Sequence, residues 1–145
     1  MKAITAFLTG KIAEILFNRK VGLTATLLFV LYPGNWGQST FILSEIPMTC
    51  FALLSLYLLL KSNRRYLFFI SGFTLCLANW FRGIALIFIL AIIIYHLIFD
   101  RNNLLKKIVP FIAGYLTFII IAGSSTYIRT GYFIYQGDTL WFNIC

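Results

Sequence analysis

Charge is scarce in this chain. Only 11% of its 145 residues are Asp, Glu, Lys or Arg, where a soluble domain has about a quarter. Four acids and twelve basic residues cannot clothe a water-facing surface of this size. Cysteine is also sparse. Cys50, Cys76 and Cys145 form no CxxC, and two of them fall inside apolar runs, so buried free thiols are expected. A disulfide-framed secreted domain is excluded. One histidine, His96, has no metal-ligand companions in the sequence and reads as a packing or interfacial residue. No Walker loop, dinucleotide fingerprint, HExxH or serine elbow is present. The start is not a signal peptide, because Lys11 and Glu14 interrupt Met1 to Phe17 and no small-residue cleavage site follows.

Apolar residues dominate instead. They make up 61% of the chain, 18% of it aromatic, and they come in long blocks. Lipid is the solvent this implies. A soluble enzyme and a disordered chain are both excluded. The basic excess of +8 is not one patch, which argues against nucleic acid. Lys2 and Lys11, Arg19 and Lys20, Lys61 with Arg64 and Arg65, and Arg101 with Lys106 and Lys107 sit between apolar blocks. Cytoplasmic loops beside anionic lipid have this pattern, so membrane lipids are the first partners expected.

The expected fold is all-α and polytopic. About five membrane helices are predicted, with approximate spans 21–34, 45–60, 66–81, 84–99 and 108–124. Residues 1–20 form a cytoplasmic-side segment, either an interfacial amphipathic helix or an extension of the first span. Residues 21–128 are the membrane region, and 129–145 an outer tail. The run from Tyr66 to Phe99 has 34 residues and one definite charge, Arg82. One helix of that length would measure about 51 Å, against a hydrocarbon core of about 30 Å. Two helices with a turn near Arg82 and Gly83 are therefore predicted. Alternating spans put ten of the twelve basic residues on one side, leaving Arg82 and Arg129 on the other. The positive-inside rule makes the first side cytoplasmic. The N-terminus is then inside, the C-terminus outside, and the cell membrane the location. The loop Pro33 to Gln38, the Arg82 turn and the tail fall on the outer side.

Three residues are candidates for chemistry. In Ser44–Glu45–Ile46–Pro47, Ser44 suits a helix cap, Glu45 a first turn, and Pro47 a position whose N–H is unneeded. Glu45 is thus a cap-region carboxylate or a carboxylate facing an outer cavity. Acids at membrane depth are costly and usually have a partner or a task. Arg82 either snorkels to headgroups or serves as a cation that holds a phosphate or pairs with Glu45. Asn79 lies three positions earlier and shares its helix face. Tyr57 and Tyr95 suit interfacial belts, and Asp138 in Tyr135–Gln136–Gly137–Asp138–Thr139 suits a turn. Gly72, Gly83, Gly114 and Gly123 suit close helix contacts or turns. No metal-ligand set is visible.

Several stretches resemble one family in order and spacing. Leu16–Phe17–Asn18–Arg19–Lys20–Val21–Gly22 followed by Leu31–Tyr32–Pro33 is similar to its second membrane helix and outer loop. Ser44–Glu45–Ile46–Pro47 with Phe51–Ala52–Leu53–Leu54 resembles its next helix start. Gly72 with Leu77–Ala78–Asn79–Trp80–Phe81–Arg82 resembles its Gly…Gly-Leu-Ala…Arg-Pro hairpin. The family is the polyprenyl-phosphate-sugar-dependent membrane glycosyltransferases of the C-type fold, of the dolichyl-phosphate-mannose protein mannosyltransferase and aminoarabinose transferase type. The resemblance covers about residues 10 to 100. It implies a hexosyl- or pentosyltransferase that moves a sugar from a polyprenyl-phosphate carrier to a protein, lipid or glycan acceptor on the outer face. It implies Arg82 and Asn79 as carrier-phosphate contacts, and a divalent metal in some full-length members. Glu45 matches an accessory acidic position, not the base, which the family places in an earlier outer loop. Gly83 stands where proline often follows the arginine. The chain reads as a truncated fragment of such an enzyme, inactive in isolation. Two other readings compete: a non-catalytic membrane partner or scaffold, in which Glu45 and Arg82 matter only for stability, and a transporter or flippase fragment, with polar groups deep in broken helices.

Overall fold

A computed structural model describes residues 1–34, 44–61, 64–83, 86–99 and 104–133. Cys145, Asp138 and most of the Pro33 to Gln38 loop lie outside the described residues. Among the described residues the architecture is all-α. Six helices follow in order: α1 Lys2–Leu16, α2 Arg19–Leu31, α3 Glu45–Lys61, α4 Arg65–Phe81, α5 Leu86–Phe99 and α6 Leu104–Thr130. Helices α2 to α6 overlap the five apolar blocks, with α2 starting at Arg19 and α6 running from Leu104 to Thr130.

Asn18 explains the separation of α1 from α2. Its backbone is extended, and its Oδ1 accepts the Val21 N–H at 2.9 Å, an N-cap that starts a new helix. The expectation that α1 extends the following span is therefore replaced by a helical hairpin. Small residues let the two arms touch. A Cβ on Gly22 would lie 2.7 Å from the Gly10 carbonyl oxygen and 3.0 Å from Glu14 Cβ. The pairing of Gly10 with Gly22 and Thr26 makes α1 antiparallel to α2. Lys2 thus sits at the opposite end of the hairpin from Arg19 and Lys20, with which the sequence reading grouped it.

Helix α4 is central and packs on α3 and α6. On the α3 side two hydroxyls meet inside the protein. Ser71 Oγ donates to the Ser55 carbonyl at 2.8 Å, and the two Oγ atoms share a hydrogen bond at 2.9 Å. Burial without such partners would cost each hydroxyl about 1–3 kcal/mol. Near one end of this antiparallel pair, Phe51 stacks on Phe81 with centroids 6.0 Å apart.

On the α6 side the backbones approach through two glycines. An added Cβ on Gly72 would run into the Phe111 carbonyl, and one on Gly114 into the Phe69 carbonyl. The rings of Phe73 and Trp80 then meet Phe118 edge-on, at 5.1 and 5.7 Å. Contacts advance along both helices in the same sense, so α4 and α6 are parallel and α5 is the return. The core joins Ala52, Phe68, Leu75, Ala78, Ile92 and Phe111. Cys50 and Cys76 are buried free thiols.

Ala6, Leu8 and Ile12 of α1 are also buried, but many apolar residues face outward. Phe7, Leu23, Leu27, Leu28, Ile120 and Ile128 are all exposed. Soluble monomers rarely show this much contiguous apolar surface. Among the described residues one helix, Leu105–Thr130, is long and apolar enough by itself to cross a membrane. The 17 residues of α3 and of α4 give about 26 Å each, just short of the hydrocarbon thickness.

The two α4–α6 glycines test this packing. Gly72→Ala and Gly114→Ala should each lower stability by about 1–3 kcal/mol, because the atoms in the way are backbone. Thermal melts of the purified chain in detergent, followed by circular dichroism, would show the loss. Unchanged melts would refute the close approach.

Candidate functional site

The register set by Ser55 and Ser71 determines which residues meet at the helix ends. Ten positions separate Ser55 from Glu45 along α3, and eleven separate Ser71 from Arg82 along α4. At 1.5 Å per residue both distances are about 15–16 Å, so the two charged side chains arrive level. Arg82 Nη1 donates to Glu45 Oε1 in a direct ion pair. Sequence reasoning put these residues on one side. The structure brings them into contact.

Each charge suits its helix. Glu45 is in the first turn of α3, where unpaired N–H groups favour an anion. Pro47 occupies the same turn without loss of a bond. Ser44 contributes its carbonyl, which accepts the Met48 N–H at 3.2 Å. Thr49 Oγ1 donates to the Glu45 carbonyl at 2.7 Å. Arg82 is the C-cap of α4, extended at φ −160°, with its N–H on the Ala78 carbonyl at 3.3 Å. A cation there offsets the negative helix end. The pair is open to its surroundings, with side-chain exposures of 46% for Arg82 and 43% for Glu45.

Asn79 lies one turn back from Arg82 and is 1% exposed. Its Oδ1 is buried and has no hydrogen-bond partner. A carbonyl left in that state costs about 1–3 kcal/mol, and such a group calls for an explanation. The sequence offered a face shared with Arg82, but not this burial. It also missed the Ser55–Ser71 link, because two serines sixteen positions apart carry no local signal. The Trp80 ring stands edge-on to Phe118.

The remaining candidates fall elsewhere. His96 lies within α5, and Arg129 is in the last turn of α6. The groove between α1 and α2 is lined by Phe7, Gly10, Gly22 and Leu23 and ends at Lys11, Glu14 and Arg19. There Lys11 Nζ binds Glu14 Oε2 at 2.8 Å. No group of three or more His, Cys, Asp or Glu side chains that could hold a metal occurs among the described residues. A divalent ion therefore has no fitting ligand set in this part of the chain.

Comparison with known proteins gives one match. A family model described as dolichyl-phosphate-mannose-protein mannosyltransferase matches residues 1–127. No curated protein and no solved structure matches the chain.

An ion pair this exposed contributes only about 0–1 kcal/mol to stability. Glu45→Gln, Arg82→Gln and the double variant should therefore all fold, with a coupling energy below about 1 kcal/mol. Denaturation of the four proteins in matched detergent would measure it. A coupling of several kcal/mol would make the pair a structural strut, unavailable to a ligand.

Proposed function

The chain belongs to the dolichyl-phosphate-mannose-protein mannosyltransferase family, and from that membership we propose that it is part of a membrane glycosyltransferase whose Arg82 binds the phosphate of a polyprenyl-phosphate-linked sugar. The observation that supports this most directly is the exposed Arg82–Glu45 pair at the mouth of α3 and α4. Glu45 holds the guanidinium in place while the site is empty. An incoming phosphate, with more charge and more acceptor oxygens than a carboxylate, displaces it.

The reaction that fits breaks the bond between the sugar's anomeric carbon and the carrier phosphate oxygen. The phosphate leaves with the electron pair, and Arg82 stabilises its growing charge. The acceptor hydroxyl forms the new bond and gives its proton to a carboxylate base. Glu45 is not that base in this reading, since its place in the sequence resembles the family's accessory acidic position. Asn79 supports the same site: its unpartnered Oδ1 accepts a hydrogen bond from a hydroxyl of the carried sugar once it is seated.

The orientation follows from the two ends of the bundle. Lys61, Arg65, Lys106 and Lys107 gather at one end, and Glu45, Arg82 and Arg129 at the other. The basic end is cytoplasmic by the positive-inside rule, which puts the proposed site on the outer face of the cell membrane. The α1–α2 hairpin then carries Met1 outward, a revision of the cytoplasmic N-terminus expected from charge alone.

Binding of a polyprenyl-phosphate-linked sugar to the purified chain in lipid nanodiscs tests this reading. Arg82→Ala should weaken binding about tenfold or more, the loss of one charge-assisted hydrogen bond. Asn79→Ala should weaken binding while leaving the melting temperature unchanged or higher, because it removes an unsatisfied carbonyl. Equal binding by wild type and Arg82→Ala would favour the scaffold reading instead.

A further inference from the structure

A second group of cations sits at the opposite end of the bundle. Because α4 and α6 are parallel, their first turns lie side by side. Arg65, Leu105, Lys106, Val109 and Pro110 line a shallow recess of about 410 Å³ between them. Two cations thus face three apolar side chains in one concavity. Among the described residues the other charges at this end, Lys61, Arg64 and Lys107, have the same sign. Lys107 Nζ lies 5.7 Å over the Phe68 ring, and Lys61 Nζ lies 5.2 Å over Tyr57. Glu14 and Glu45 are the acids among the described residues, and they pair with Lys11 and Arg82. Neither answers Arg65 or Lys106.

Pro110 lies inside α6, where its ring extends the apolar wall formed by Leu105 and Val109. The recess therefore presents cations beside an apolar wall. A free anion would need only the first of these. A diacyl phospholipid matches both, with its phosphate and an acyl chain.

We propose that this recess binds one anionic phospholipid of the cytoplasmic leaflet, with its phosphate between Arg65 and Lys106 and an acyl chain along Leu105, Val109 and Pro110. Basic pockets between helices on that side suit such headgroups. The site rests on the orientation given above, but not on sugar transfer. It is a lipid site separate from Arg82, at the other end of α4.

Native mass spectrometry of the full chain, released from detergent with phosphatidylglycerol or phosphatidylcholine, reads this directly. Wild type should retain one phosphatidylglycerol in preference to phosphatidylcholine. Arg65→Gln/Lys106→Gln should weaken that retention about thirtyfold, about fivefold for each cation near the surface. The charge-keeping variant Arg65→Lys/Lys106→Arg should retain it, and circular dichroism would check that both variants fold. A charge-matched control, Arg19→Gln/Lys20→Gln, should retain it as well. Equal retention by the glutamine variant, or equal loss in the control, would overturn the site in favour of diffuse attraction. Displacement of the lipid by millimolar inorganic phosphate would overturn it in favour of a simple anion site. Retention of a polyprenyl phosphate, read in parallel with Arg82→Ala, keeps the two sites separable, since either can fail alone.

Discussion

The carbonyl oxygens of Phe69 and Phe111 stand where side chains on Gly114 and Gly72 would have to be. Lipid tails are as apolar as leucine, so helices in a membrane gain little from hiding apolar surface from one another. They associate through close backbone contact and through hydrogen bonds. Helix α4 uses one of these means on each side. Its glycine face brings α6 close, and its hydroxyl face ties Ser71 to Ser55 on α3. With both sides fixed, neither partner can slide by a turn without losing a steric fit or a pair of buried bonds. The positions of Glu45, Arg82, Arg65 and Lys106 follow from that register.

Charge is divided between the ends of the bundle, and the two ends are built differently. At the Arg82 end a cation already has an anion beside it, and the exposed pair can open for a stronger competitor. At the Arg65 end the cations have rings and apolar walls as neighbours. The membership in a mannosyltransferase family gives the first end its chemical sense. The second end is a matter of how the protein sits in its bilayer.

Much of the fold could be read from the chain because apolar blocks and their polar breaks are local signals. The turn at Arg82 came from length alone, since 34 apolar residues cannot cross once. Glu45, Ser44 and Pro47 showed a helix start for the same local reason, and α3 begins at Glu45. The break at Asn18 was harder. Its cap is a side-chain bond to Val21, and the apolar pattern on either side of it is nearly continuous. The contact of Glu45 with Arg82 depends on the α3–α4 register, which is held by two serines that no periodic pattern distinguishes. The burial of Asn79 is a property of the packed bundle, not of its local sequence.

The parallel arrangement of α4 and α6 has a consequence for assembly. Helix α3 can close on α4 as soon as a short turn has been made, because their bonds join neighbours in the chain. The glycine contact has to wait until α5 has crossed back and α6 has been delivered, a loop of some forty residues with its own closure entropy. During that interval Gly72 and the groove beside it face lipid or the insertion machinery. The recess between Arg65 and Lys106, formed by the first turns of α4 and α6, comes into being only when that second seam closes.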